Sequence, residues 1–292
     1  MSIRILAVLP PRPTFTEESL PHQQGRVLLI TGGASGIGFE LAKILSCHSG
    51  KVYITGHTKE KEMQAIQASV SDHQGQLDFI TLELNDLRST KASGEAFKAK
   101  DCKLGIMWNN AGVSQPPLGS VSKQGHELQL AVNCLGPFLF TQMLLPLLDT
   151  AAASSSSPGL VALSSPPGGN IMSELTSAPK DNVRNYLNSK TGNWFLSAEF
   201  ARRYGHRGIV SVALNPGAAN TNLLKNVKLM KISAYPLLYK SVCAAHTELY
   251  AEGDTANPGD GISAQRGLLG WEDLFFTRCD LGRRGLRGRW RG

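Results

Sequence analysis

The most constraining feature of the chain is a short apolar run that stops on glycines. Residues 26–31 read Arg-Val-Leu-Leu-Ile-Thr, the pattern of a strand buried on both faces. Gly32, Gly33, Ala34, Ser35, Gly36, Ile37 and Gly38 follow at once, and Phe39, Leu41, Ala42, Ile44 and Leu45 then recur at helical spacing. A buried strand that turns straight into a helix must pack that helix across a sheet and return in the same direction. The unit repeats along the chain. Residues 51–55, 77–84, 104–108, 159–163 and 208–214 read as further strands. Helices are predicted over 59–70, from an N-cap at Asp86 to about residue 99, over 122–132, 134–149 and 183–204. This alternation predicts an α/β fold, a doubly wound parallel sheet in a single domain.

Composition narrows the class. Of 292 residues, 41% are hydrophobic and 18% charged, enough for a full core. The net charge of +7 is uneven, because residues 278–292 hold six Arg and one Asp and leave the rest near neutral. Basicity therefore describes a tail, and no specific nucleic-acid face is expected. Residues 1–24 read as a proline-rich arm, 25–257 as the domain, and 258–292 as a divergent Arg/Gly-rich tail expected to be disordered, with a short helix over 271–277 as its one helical candidate. Cys47, Cys102, Cys134, Cys243 and Cys279 form no paired spacing, which points to free thiols in a cytoplasmic setting. No histidine spacing suggests a metal. The apolar stretch 130–148 carries Asn133, Thr141, Gln142 and two prolines, so it is expected as a buried core helix and not a membrane anchor.

Several motifs carry chemistry. In the glycine turn, Gly32, Ser35, Gly36, Ile37 and Gly38 permit close backbone approach to a pyrophosphate, which the free N–H groups of the following helix would hold. After the second strand, where an acid would favour NAD, Gly56 and His57 stand with Lys59 and Lys61 beyond, which favours NADP; a solvated helix face would carry the same lysines. Glu83 closes the third predicted strand, at the adenine edge of a nucleotide or simply in solvent. Asn110, Ala111 and Gly112 suit a cofactor crevice and equally an ordinary turn. Tyr186 and Lys190, four apart on a helix, share one face. An ammonium beside the phenol is expected to lower its pKa from about 10, and reaching 7 takes about 4 kcal/mol, shared between the lysine and an oxidised nicotinamide. Ser164 and Ser165 end the fifth strand without a nucleophile elbow.

Taken together, the glycine turn, Asn109-Asn110-Ala111-Gly112, Asn133, the serine pair, Tyr186 with Lys190, and Asn215-Pro216-Gly217 occur in an order that resembles the short-chain dehydrogenase/reductase superfamily over residues 24–250. The arm at 10–16, the stretch 124–133 and residues 199–205 are similar to a branch of retinol dehydrogenases and WW-domain oxidoreductases abundant in filamentous fungi, where members often tailor secondary metabolites. The resemblance implies a Rossmann-type fold and a catalytic tetrad. Asn133 would hold a water and organise the lysine, Ser165 would donate to the substrate oxygen, Tyr186 would act as acid/base, and Lys190 would bind the nicotinamide ribose. It further implies a backbone contact from Asn110 to the cofactor ribose, and a loop of Pro216, Gly217, Ala219 and Thr221 at the nicotinamide. Helices near 134–149 and 184–204 would pair subunits into a homodimer or homotetramer.

The expected activity is NADP-dependent hydride transfer between nicotinamide and the carbonyl or secondary alcohol of an apolar small molecule. Leu223, Leu224, Leu229, Met230, Tyr235, Pro236, Leu237 and Leu238 would cover that substrate, or else belong to the core. Two departures from the pattern stand out: His57 replaces the branch's usual arginine, and no seventh strand is readable after Gly259. The second of these motivates the rival reading, a catalytically impaired NADP(H)-binding sensor. A third, salt-dependent polyanion binding, would rest on the arginine tail alone.

Overall fold

The computed structural model describes residues 16–20, 23–48, 50–57, 63–64, 66–67, 75–154, 159–163, 174, 181–217, 219–224 and 238–256. Six strands, β1 (Val27–Ile30), β2 (Lys51–Gly56), β3 (Gln76–Thr81), β4 (Ile106–Asn109), β5 (Gly159–Leu163) and β6 (Val210–Leu214), form one parallel sheet in the order β3-β2-β1-β4-β5-β6. Chain order reverses between β1 and β4, so the crevice at their carboxyl ends is the switch point where doubly wound sheets bind ligands. The expected fold class holds.

Alternation along each strand divides the core between two faces. Leu28, Ile30, Val52, Ile54, Ile106 and Trp108 pack on one face under α1 (Gly36–Ser46) and α5 (Ser241–Ala256). Val27, Leu29, Tyr53 and Met107 pack on the other under α2 (Leu87–Lys98), α3 (Leu128–Ala153) and α4 (Asn182–Tyr204). Trp108 is fully buried, and its indole N–H donates to the Glu248 carbonyl of α5 at 3.2 Å. One central side chain thus ties sheet to helix.

Several expected boundaries are corrected. The third strand ends at Thr81, not at residue 84; the Leu82 N–H adds one last bond to the Gly56 carbonyl at 3.1 Å, and Leu82 and Leu84 are buried beyond the strand end, so their hydrophobicity reads as more strand. The helix expected over 122–132 starts only at Leu128. A turn at Gly125 (φ +82°) and a bridge between Val121 and Glu127 precede it, and Glu127 caps it by accepting from Leu130 N–H at 2.7 Å. The two helices expected there are one run. A π-turn at Ala131–Leu135 joins its parts, and it continues to Ala153, past the expected end at 149, because alanines sustain a helix. Asp86 caps α2 as expected, accepting from Arg88 N–H at 2.9 Å.

By length and composition α3 alone among the described helices is apolar enough to cross a membrane, and 61% of its apolar window is buried inside the protein. That burial matches a core helix. The helix expected over 59–70 is seen in part, with residues 63–64 and 66–67 helical. The proline-rich stretch up to residue 15, the tail from 258, its candidate helix at 271–277 and any seventh strand lie outside the described residues.

Trp108→Ala removes a fully buried indole from the centre of the sheet and is expected to cost about 3–5 kcal/mol. Urea unfolding checks this as a lowered midpoint with an unchanged slope.

Candidate active site

The switch point is sewn together by side chains. Thr31 Oγ1 donates to the Trp108 carbonyl at 3.2 Å and accepts from Ala111 N–H at 3.0 Å. Asn110 Nδ2 donates to the Thr31 carbonyl at 2.8 Å, so this side chain fixes the glycine turn. Gly36 has φ +58°, a conformation that an L side chain rarely adopts. A Cβ on Gly38 would run into the Asn110 amide and the Gly32 carbonyl. Gly38 therefore sits behind the groove, letting α1 approach the turn, while the other residues expected to hold a cofactor line the groove itself.

That groove has a volume of about 830 Å³. Gly32, Ser35, Gly36 and Ile37 form its floor after β1. His57 and Glu83 stand at one end, and Asn110, Ala111 and Gly112 run along its middle. Tyr186 and Lys190 enter from α4, and Pro216, Gly217, Ala219 and Thr221 enclose it after β6. Ser35 is the N-cap of α1, yet its side chain makes no capping bond, which leaves the first-turn N–H groups for an anion. Size, glycine cradle and uncapped helix end together fit a dinucleotide. Val113, Pro116, Leu128 and Val132 give the groove apolar lining that sequence reading missed. Val113 and Pro116 follow β4, Leu128 opens α3 and Val132 lies within its π-turn, and no spacing marks them. Of the expected substrate cover, Leu223 lines the groove and Leu238 is half-buried. The Leu224 side chain and residues 229, 230 and 235–237 lie outside the described residues.

Helix α4 begins where Asp181 accepts from Val183 N–H at 2.8 Å and Arg184 N–H at 3.1 Å. Tyr186 and Lys190 then lie one turn apart, with the ammonium 5.9 Å from the ring centroid. Asn133, fully buried in the π-turn, accepts from Val113 N–H at 2.8 Å and donates to the Val113 carbonyl and to Ser189 Oγ, both at 2.9 Å. Ser189 in turn donates to the Tyr186 carbonyl at 2.8 Å. Ser189 is a positioning residue that sequence reading passed over, although its place between Tyr186 and Lys190 was a signal. A second clamp holds the outer side of the helix start. Arg184 pairs bidentately with Glu174 at 2.7 Å, and Asn188 donates to the same carboxylate at 2.7 Å. Ser164 and Ser165 follow β5 directly in sequence and lie outside the described residues.

Burial works against the expected lowering of the Tyr186 phenol, pushing it up to about 12; the expected lowering relies on an oxidised nicotinamide as well as on the lysine. The lysine does not offset this, because burial also brings Lys190 down to about 8, against the charges of Glu248 and Cys134. Desolvation outweighs a cation held at ring distance. Glu248 on α5 is wholly buried, and neither carboxylate oxygen has a hydrogen-bond partner among the described residues. Burial raises it to about 8.

Residues 26–231 match the family model for short chain dehydrogenases. The chain belongs to the short-chain dehydrogenase/reductase family. A relative from Pestalotiopsis fici, the short-chain dehydrogenase/reductase iacJ, is 40% identical over 228 residues, covering 73% of this chain and 70% of that one. An NADPH-bound carbonyl reductase from chicken fatty liver is similar in structure, with 25% identity, a TM-score of 0.56, and coverage of 71% of this chain and 81% of that one. A 3-ketoacyl-(acyl-carrier-protein) reductase from Brucella melitensis, complexed with NADH, shares the fold at TM-score 0.61 and 24% identity, covering 78% and 90%. As a member of this family the protein is an oxidoreductase that uses a nicotinamide cofactor.

Two outcomes test the site. Gly38→Ala is expected to weaken dinucleotide binding at least roughly tenfold by displacing the Asn110 amide from the turn, read by titrating nicotinamide fluorescence. Glu248 ionises near 4.5 when unfolded and near 8 when folded, so its contribution to stability is full below pH 4.5 and is lost as pH rises toward 8. The dependence carried by Lys190 lies above that window, between about 8 and 10.5. Glu248→Gln should therefore gain on the wild type as pH climbs from 4.5 to 8, seen as a widening gap between urea midpoints.

Proposed function

We propose that this protein is an NADP-dependent reductase of apolar ketones, with Asn133, Ser165, Tyr186 and Lys190 as its catalytic tetrad. The observation that carries the reading is the convergence of Tyr186 and Lys190 on the dinucleotide groove beside apolar lining. NADP is supported by the corner after β2, where Gly56 leaves space and His57 stands in place of an acid.

When bound, reduced nicotinamide supplies a hydride to the carbonyl carbon. Tyr186, protonated across the neutral range because burial holds it near 12, donates the proton that the substrate oxygen then needs. Lys190 lies on the same helix face, with its ammonium 5.9 Å from the ring centroid, and would hold the nicotinamide ribose in the groove. Asn133 and Ser189 hold that helix face at the groove. Ser165, two residues beyond β5 in sequence, orients the substrate oxygen.

The same reading includes a tailoring role in fungal secondary metabolism, supported by fungal relatives such as iacJ. A cytoplasmic location fits the free thiols of Cys47, Cys102, Cys134 and Cys243. Pairing of copies is supported by the exposed apolar side chains Phe138 on α3 and Val183, Leu187 and Phe195 on α4.

The test is consumption of NADPH with a panel of apolar ketones. Turnover is expected to stay level through neutral pH, and the reverse alcohol oxidation to rise with pH as the phenol ionises. Tyr186→Phe should lower kcat about a hundred- to ten-thousandfold with nucleotide binding retained. Binding of NADPH without turnover of any ketone, by wild type and variant alike, would replace this reading with that of a nucleotide sensor.

A further inference from the structure

The segment that leaves β4 along the groove is held at three successive points. Asn133 bonds both backbone groups of Val113. One turn earlier on α3, Gln129 Oε1 accepts from the Gln115 N–H at 2.9 Å, and Gln129 Nε2 donates to the Asn182 carbonyl of α4 at 3.0 Å. Asn182 Nδ2 returns a bond to the Pro116 carbonyl at 2.5 Å. A backbone N–H only donates and a carbonyl only accepts, so the gap between Gln115 and Asn182 takes a carboxamide in one orientation.

The turn so held is a strained one. Gln115 has φ +49°, and no other non-glycine residue among the described residues has a positive φ. A side chain of L configuration disfavours that conformation roughly five- to thirtyfold, so it persists only where its surroundings enforce it. Gln129 is fully buried with both ends of its amide engaged, and it does not itself line the groove. The residues on either side of Gln115, Ser114 and Pro116, do line it. Asn182 lies one turn before Tyr186 on α4, so its bond to Pro116 sets this wall beside the helix face that carries the phenol.

From this geometry we propose that Gln129 is a positioning residue: it holds the Gln115 turn and thereby sets how closely the wall of Ser114 and Pro116 approaches Tyr186, which fixes the size of ketone substituent that the groove admits. The inference rests on the reading of the groove as a site of ketone reduction. Gln129→Leu keeps much of the volume and removes both bonds. Gln115→Gly keeps the backbone N–H and adopts a positive φ without strain.

The experiment compares wild type, Gln129→Leu, Gln115→Gly and the double variant. It reads amide hydrogen exchange over residues 113–120, NADPH affinity by nicotinamide fluorescence, and KM and kcat for cyclohexanone and the bulkier bicyclic decalone. Gln129→Leu is expected to speed exchange at residues 113–116 at least roughly tenfold and to raise KM for cyclohexanone roughly five- to tenfold. Its kcat and NADPH affinity should stay within about twofold of wild type, and its discrimination between the two ketones should shrink. Gln115→Gly alone should leave KM within about twofold, and in the double variant it should recover most of the lost KM, because the turn no longer has to be enforced. Unchanged exchange in Gln129→Leu would overturn the proposal, as would NADPH affinity falling in step with KM, or a double variant no better than Gln129→Leu. Circular dichroism reports folding. If Gln129→Leu does not fold, Asn182→Ala, at a half-buried position, cuts the tie to Pro116, and an unmoved KM and exchange there overturn the proposal equally. A wild type that reduces no ketone removes the reductase reading, and exchange at residues 113–116 then decides this one by itself.

Discussion

The site depends on the bonds that Thr31 and Asn110 make across the junction of β1 and β4. A parallel sheet whose order reverses opens a crevice there, and a crevice between two strand ends has backbone groups to satisfy. Thr31 bonds the Trp108 carbonyl of β4 and the Ala111 amide two residues past its end, while Asn110 returns a bond to the Thr31 carbonyl. With both strand ends locked, the glycine turn has one shape, and the N-terminus of α1 faces one place. Every other functional side chain is positioned relative to that frame.

On the other face of the sheet the organising group is the Asn133 amide. It satisfies both backbone groups of Val113 and reaches Ser189, which reaches Tyr186. The π-turn around Asn133 is the kind of local irregularity found at functional sites, here stabilised by three side-chain bonds. Burial that makes these bonds strong also penalises charge. That is why Tyr186 moves up and Lys190 down, and why Glu248 stays high in the apolar layer under α5.

Much of this was legible in the sequence. Gly159–Leu163 is found where its apolar run put it, because a strand inside a parallel sheet has a composition of its own. Asp86 announces one helix start through a side chain that can satisfy a first-turn N–H, and Asp181, which the sequence reading did not name, does the same for α4. The errors have physical causes as well. Leu82 and Leu84 are buried beyond the last strand residue, so hydrophobicity alone over-extended β3. Between 122 and 127 the polar pattern suited a helix, but Gly125 turns the chain and Glu127 starts the helix later.

The order of strands and helices, the glycine turn and the Tyr186–Lys190 face were determined by the sequence itself, because periodicity, turn chemistry and four-residue helical spacing are local properties. What only tertiary structure decided is which side chains meet across distance and how dry they become. The Asn133–Ser189 link, the His57–Glu83 corner and the upward shift of Tyr186 all arise between segments far apart in the chain. Hydrogen-bond partners and desolvation are set by packing, and packing is fixed only when the sheet has closed around them.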